Sequence, residues 1–96
     1  MKPSEVLRLH REEIRRVVES RRASSPRVFG SVLHGTDTEE SDLDIMVDPT
    51  PETFIFDIGK IRYQLRTLLG VSVDVLTPRA LQERLREQVL SEARPI

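Results

Sequence analysis

The chain has 96 residues, 38% hydrophobic and 32% charged, with 15 Lys plus Arg against 16 Asp plus Glu for a net charge of −1. That length suits one small domain spanning residues 1–96, recurring apolar side chains fit a globular domain better than a disordered one, and near-neutrality argues against a direct nucleic-acid binder. With no cysteine, disulfides, thiolate metal sites and cysteine nucleophiles are excluded. No apolar run reaches the ~18 residues of a membrane span, and Met1–Ser4 lacks the apolar stretch of a signal peptide, so a cytoplasmic protein is expected.

Ser4 reads as the N-cap of a first helix over residues 5–21, with Glu5 near the positive end of its dipole. Val6, Leu7, Ile14, Val17 and Val18 share one face at ~100° per residue. His10 falls on that side as a packing residue. Ser24-Ser25-Pro26 breaks the chain, and Arg27-Val28-Phe29 predicts a short strand ended by Gly30. After a polar loop, Asp42 to Asp48 alternates strictly, with Leu43, Ile45 and Val47 on one face and Asp42, Asp44, Met46 and Asp48 on the other. That is the period of a half-buried strand.

Thr50-Pro51-Glu52 predicts a second helix start. Phe54, Ile55, Ile58, Ile61, Leu65, Leu68 and Leu69 follow at helical spacing, and Gly70 closes the helix. Val71 to Leu76 predicts a third strand, with Asp74 opposite its valines. Thr77-Pro78 introduces a last helix with a stripe of Leu81, Leu85, Val89 and Leu90. The expected fold is α/β or α+β: a two-layer domain with a small three-stranded sheet and helices packed on it. Asp37, Glu39 and Glu40 read as a solvated loop, Asp48 as a strand end and Asp57 as an exposed helix position.

Charge is segregated. Residues 1–28 carry +4, residues 29–58 carry −8 with no Lys or Arg, and residues 59–96 carry +3. Inside the acidic block, Asp42 and Asp44 point to the same side of one strand, ~6.5–7 Å apart at the usual rise. Asp74 joins them if its strand lies alongside. Oxygen-only donors favour Mg²⁺ or Mn²⁺ over zinc. Carboxylates this close repel unless a cation neutralises them. Upstream, Gly30 allows close backbone approach to a ligand, and Ser31 offers a hydroxyl and backbone N–H groups to phosphate oxygens. A phosphate cradle beside a metal site suits phosphoryl or nucleotidyl transfer.

Phe29-Gly30-Ser31, ten intervening residues and Asp42-Leu43-Asp44-Ile45 resemble the signature of the DNA polymerase β-like nucleotidyltransferase superfamily. Gly30 to Gly35, Ser41 to Val47 and Val73-Asp74-Val75-Leu76-Thr77-Pro78 resemble its minimal nucleotidyltransferase branch. The resemblance implies the mixed-sheet nucleotidyltransferase fold, with Asp42, Asp44 and Asp74 as catalytic ligands of two Mg²⁺ ions and Gly30 and Ser31 as nucleotide-binding residues. It implies transfer of a nucleoside monophosphate, AMP from ATP, to a hydroxyl. The acceptor would be a tyrosine of a HEPN-type toxin, making the chain an antitoxin in a homodimer or hetero-oligomer. One position departs from the pattern: many members carry Arg just before the second loop glycine, where this chain has His34. That departure keeps open a non-catalytic antitoxin or a nucleotide-binding module, and it directs attention to Lys60 and Arg62 as substitute cations.

Overall fold

A computed structural model describes residues 1–54 and 56–96. The elements run α1 (Pro3–Leu9), α2 (Arg11–Ser20), β1 (Ala23–Phe29), α3 (Gly30–His34), β2 (Leu43–Pro49), α4 (Asp57–Leu69), β3 (Val73–Leu76), a 3₁₀ turn (Pro78–Ala80), α5 (Glu83–Glu92) and β4 (Arg94–Pro95). The sheet order is β3-β2-β1-β4. β1 pairs antiparallel with both β2 and β4, while β2 and β3 run parallel. Parallel neighbours need a crossover, and α4 supplies it.

The alternation of β2 and β3 builds the core. Leu43, Ile45, Val47, Val73 and Val75 are fully buried, together with Ile14 and Val18 of α2 and Ile61 and Leu65 of α4. Asp44 and Asp74 take the intervening positions, so burying the valine and isoleucine side of the sheet fixes both carboxylates on the other. Met46 shares that polar face in sequence yet is fully buried, where the 3₁₀ turn meets β2.

The sheet has four strands, not the expected three. β4 is two residues long and pairs Arg94 with Val28 and Pro95 with Arg27. Its neighbour Ile96 donates its N–H to the Pro26 carbonyl at 2.9 Å and buries its side chain. β1 is longer than predicted because Pro26 sits in a bulge between Ser24 and Arg27, where the missing ladder donor is tolerated.

The first helix is two helices. The chain leaves helical geometry at His10 (φ −123°, ψ 24°), and the His10 Nδ1 lies 3.0 Å from Glu13 Oε2. Ser4 is not the N-cap; Lys2 occupies that position and Pro3 opens the helix. The Ser4 N–H donates instead to Asp37 Oδ2 at 2.9 Å. Asp37 is therefore buried, not solvated, and caps α1 from a loop more than thirty residues away.

α4 begins at Asp57, later than the Thr50-Pro51 signal suggested. Phe54 lies outside the helix and is exposed, and Ile55 lies outside the described residues. Asp57 is only 1% exposed, against its expected helix-surface role. It accepts the Phe54 N–H at 2.8 Å and the Arg22 guanidinium at 3.2 Å, so it satisfies an orphan donor at the helix entrance. Asp48 pairs through both oxygens with Arg27 at 3.1 Å. The last helix starts at Glu83, leaving Leu81 before it, and Leu85 and Leu90 of its stripe are exposed.

Candidate active site

The Gly-Ser motif and the carboxylates meet where β1, β2 and β3 lie side by side. Phe29 is in register with Asp44, and Asp44 with Asp74. Backbones of adjacent strands are ~4.8 Å apart, so the Asp44 and Asp74 side chains are neighbours on one face. Asp42 precedes β2 and is exposed.

Gly30 begins α3 with φ +74°, a conformation that disfavours any side chain. A Cβ at this position would overlap Oδ2 of Asp44. The backbone angle requires the glycine, and any side chain here would also have to displace the Asp44 carboxylate. Ser31 follows at the helix start, partly buried, and its hydroxyl makes no hydrogen bond among the described residues. Gly35 ends the helix in the left-handed region at φ 72°.

The electrostatics fit a cation site. Burial first, then the charges of Asp74 and Asp42, push the Asp44 carboxyl up to about 6. The donor set is carboxylate oxygen alone, which suits a hard divalent ion. Among the described residues, no group of three such side chains converges closely enough to enclose a metal ion. Asp74 is already engaged on one side: its Oδ1 lies 3.6 Å from the Arg62 Nε.

The basic residues singled out from the sequence separate. Arg62 reaches Asp74. Lys60 lines a cavity of ≈ 350 Å³ with Arg21, Phe56 and Tyr63, apart from the carboxylates. His34 turns to the end of α5, its Nε2 3.2 Å from Glu92 Oε2. The Arg62–Asp74 contact escaped sequence reasoning. Its signal was the spacing of Arg62 and Arg66, one turn apart on the helix that crosses β3.

The nucleotidyltransferase domain family matches residues 9–96. A protein adenylyltransferase MntA of Thermococcus cleftensis is 31% identical over 87 residues, 91% of this chain and 85% of that protein. A Methanocaldococcus jannaschii relative named "putative protein adenylyltransferase" is 36% identical over 66 residues, 69% of this chain and 71% of its own. The solved structure of a "putative minimal nucleotidyltransferase" superposes with TM-score 0.86 at 42% identity, covering 97% of this chain and 95% of that one. A toxin–antitoxin crystal structure with AMP-PNP shares the fold, at TM-score 0.73 and 22% identity over 88% of this chain and 69% of that one. The similarity runs along nearly the whole chain, and the chain belongs to the nucleotidyltransferase domain family as a nucleotidyltransferase.

Proposed function

We propose that this nucleotidyltransferase moves AMP from ATP to a hydroxyl of a partner protein, a tyrosine of a HEPN-type toxin, and so acts as an antitoxin in the cytoplasm. The observation that carries the reading is the contact of Gly30 with Asp44, where a Cβ would displace the carboxylate. It puts the Gly30-Ser31 turn and the strand carboxylate Asp44 side by side, as a phosphate cradle beside a cation site requires. The adenylyltransferase relatives and the toxin–antitoxin structure with AMP-PNP support the nucleotide and the class of partner.

Asp44 and Asp74, with Asp42 just before β2, would supply carboxylate oxygens to divalent ions, Mg²⁺ or Mn²⁺, that keep water and substrate phosphates as their other ligands, so no closed cage of three carboxylates is needed. Bound there, the ions would supply Lewis-acid charge stabilisation for a triphosphate. Gly30 and Ser31 bind the β- and γ-phosphates through backbone N–H groups and the free Ser31 hydroxyl, which fixes the α-phosphorus near Asp44. Asp74, with 40% of its side chain accessible, takes the proton of the attacking hydroxyl. The new O–P bond forms in line with the breaking bond to pyrophosphate, which leaves with its electron pair.

The test is incubation of α-labelled ATP and Mg²⁺ with the protein and whatever co-purifies with it. Label should appear on the partner and vanish with Asp44→Asn. Label on no partner, or labelling that survives Asp44→Asn, would refute the reading.

One observation favours a second reading, neutralisation by binding alone. His34 stands where the family pattern usually has Arg, and it faces Glu92, so the loop has a weaker, pH-dependent cation for phosphate. In that case a protein lacking both Asp42 and Asp44 still blocks its partner at wild-type stoichiometry.

A further inference from the structure

β3 is an edge strand, and its outward carbonyls need donors. Two arginines of α4 supply them. The Arg66 Nε donates to the Val73 carbonyl at 2.9 Å and the Arg62 Nη2 to the Val75 carbonyl at 3.3 Å. The match is geometric: four helical residues rise about 6 Å, and two strand residues advance about 6.6 Å. Both arginines therefore seal the sheet edge, but they differ in what lies beyond it. The Arg62 Nε is buried, has no hydrogen-bond partner among the described residues, and lies 3.6 Å from Oδ1 of Asp74. Buried donors without a partner are rare. This one's near neighbour is the carboxylate of Asp74, at ion-pair distance and on the face that carries Asp44.

We propose that Arg62 is the positioning residue of Asp74: anchored on the Val75 carbonyl, its guanidinium holds Oδ1 and leaves the other carboxylate oxygen to serve the site. The inference rests on the nucleotidyltransfer reading for what Asp74 then does. Arg62 is also the protein's own cation beside Asp74, so it shares the charge that a metal ion would otherwise meet in full. Removing it has two opposite effects. The site becomes more negative and holds a cation more tightly, while Asp74 loses its fixed orientation and turnover slows. A residue that only sealed the edge strand would produce neither.

Arg66 is the internal control, since it makes the same kind of edge bond and forms no ion pair among the described residues. In full-length protein, Mn²⁺ alone is titrated and free Mn²⁺ is read by electron paramagnetic resonance. Arg62→Met should tighten binding about threefold or more, the effect of one lost charge near a partly exposed site, and Arg66→Met should leave it unchanged. In turnover, Arg62→Met should lower kcat about tenfold with KM for ATP within about threefold, the pattern of an interaction made in the transition state. Arg62→Lys, which keeps the charge but not the fork, should recover part of that loss. Unchanged or weakened Mn²⁺ binding in Arg62→Met overturns the proposal, as does a kcat loss shared equally by Arg66→Met. If the wild type transfers no nucleotide to any partner, the proposed reaction fails, and the Mn²⁺ comparison still decides Arg62. If the wild type shows no saturable Mn²⁺ binding, both fail.

Discussion

Replacing Asp44 by Asn should stabilise the metal-free protein while abolishing its chemistry. The Asp44 carboxyl is raised from 3.8 to about 6, first by burial and then by the charges of Asp74 and Asp42. Between those values the folded state binds more protons than the unfolded state, so stability falls as pH rises through this window and levels off above about pH 7. About two pH units correspond to at most about 3 kcal/mol. The carboxylate is only half-buried, and solvent screening reduces the cost to about 1–2 kcal/mol. Asp44 accepts no hydrogen bond among the described residues, so the amide loses none. In EDTA at pH 7.5, Asp44→Asn should melt about 5–10 °C higher, at the few degrees per kcal/mol usual for a domain this small. At pH 4 the gain should shrink to a few tenths of a kcal/mol, about 1–3 °C. Thermal melts followed by circular dichroism at the two pH values make the comparison. An Asn variant that melts at or below wild type at pH 7.5, or gains equally at both pH values, would refute the reasoning.

Mg²⁺ should raise the melting temperature of the wild type at pH 7.5, by the linkage of a ligand to the folded state, and raise that of Asp44→Asn far less; equal shifts would remove the carboxylates as its ligands. Gly30→Ala should cost about 2–3 kcal/mol, from a side chain at positive φ and from overlap with Asp44, and lower transfer at least about 100-fold; urea melts and labelling assays read the two effects. Asp37→Ala should cost about 1–2 kcal/mol by orphaning the Ser4 N–H, with Asp37→Asn recovering part. The Ser4 backbone N–H holds the Asp37 carboxyl below its ordinary range. Its contribution is therefore present above the unfolded value and lost as pH falls through the folded one, which urea melts across the acid range would show. Asp57→Ala should cost about 2 kcal/mol, because it strips the Phe54 N–H and Arg22 of their shared partner; a loss under about 0.5 kcal/mol by chemical denaturation would contradict the buried contact.

The legible parts of this chain were those where a side chain reports its own surroundings. Leu43, Ile45 and Val47 against Asp44, and Val73 and Val75 against Asp74, declared two strands and the face carrying the carboxylates. Gly70 declared the end of α4. Residues whose role is set by a distant backbone group stayed silent. Asp37 looked like a loop carboxylate because its partner, the Ser4 N–H, is far away in sequence. Asp57 looked exposed because it is charged, although it stands four and eight residues before Ile61 and Leu65 on the buried face of α4; its partners, the Phe54 N–H and Arg22, are what the sequence does not display. β4 pairs through main-chain atoms of two residues, Arg94 and Pro95, and so small a strand carries no alternation to read. Phe29, Gly30, Ser31, Asp42 and Asp44 could be identified, but the reason for Gly30 emerged only when Asp44 was found against it.

The openness of the site bears on what it accepts. Asp42 is exposed, 40% of the Asp74 side chain is accessible, and Asp44 is half-buried. An enzyme that selects a small acceptor encloses it in a concave pocket with converging polar groups. One cavity lies beside Phe56, Lys60 and Tyr63, another at the His34–Glu92 contact, and a third is lined by Glu40, Ser41 and Ser72, next to Asp42. Asp42 and Asp74 are accessible from solvent, where the surface of another protein can bring up the acceptor hydroxyl. Selectivity would then come from docking, with the chemistry left to Asp44 and Asp74.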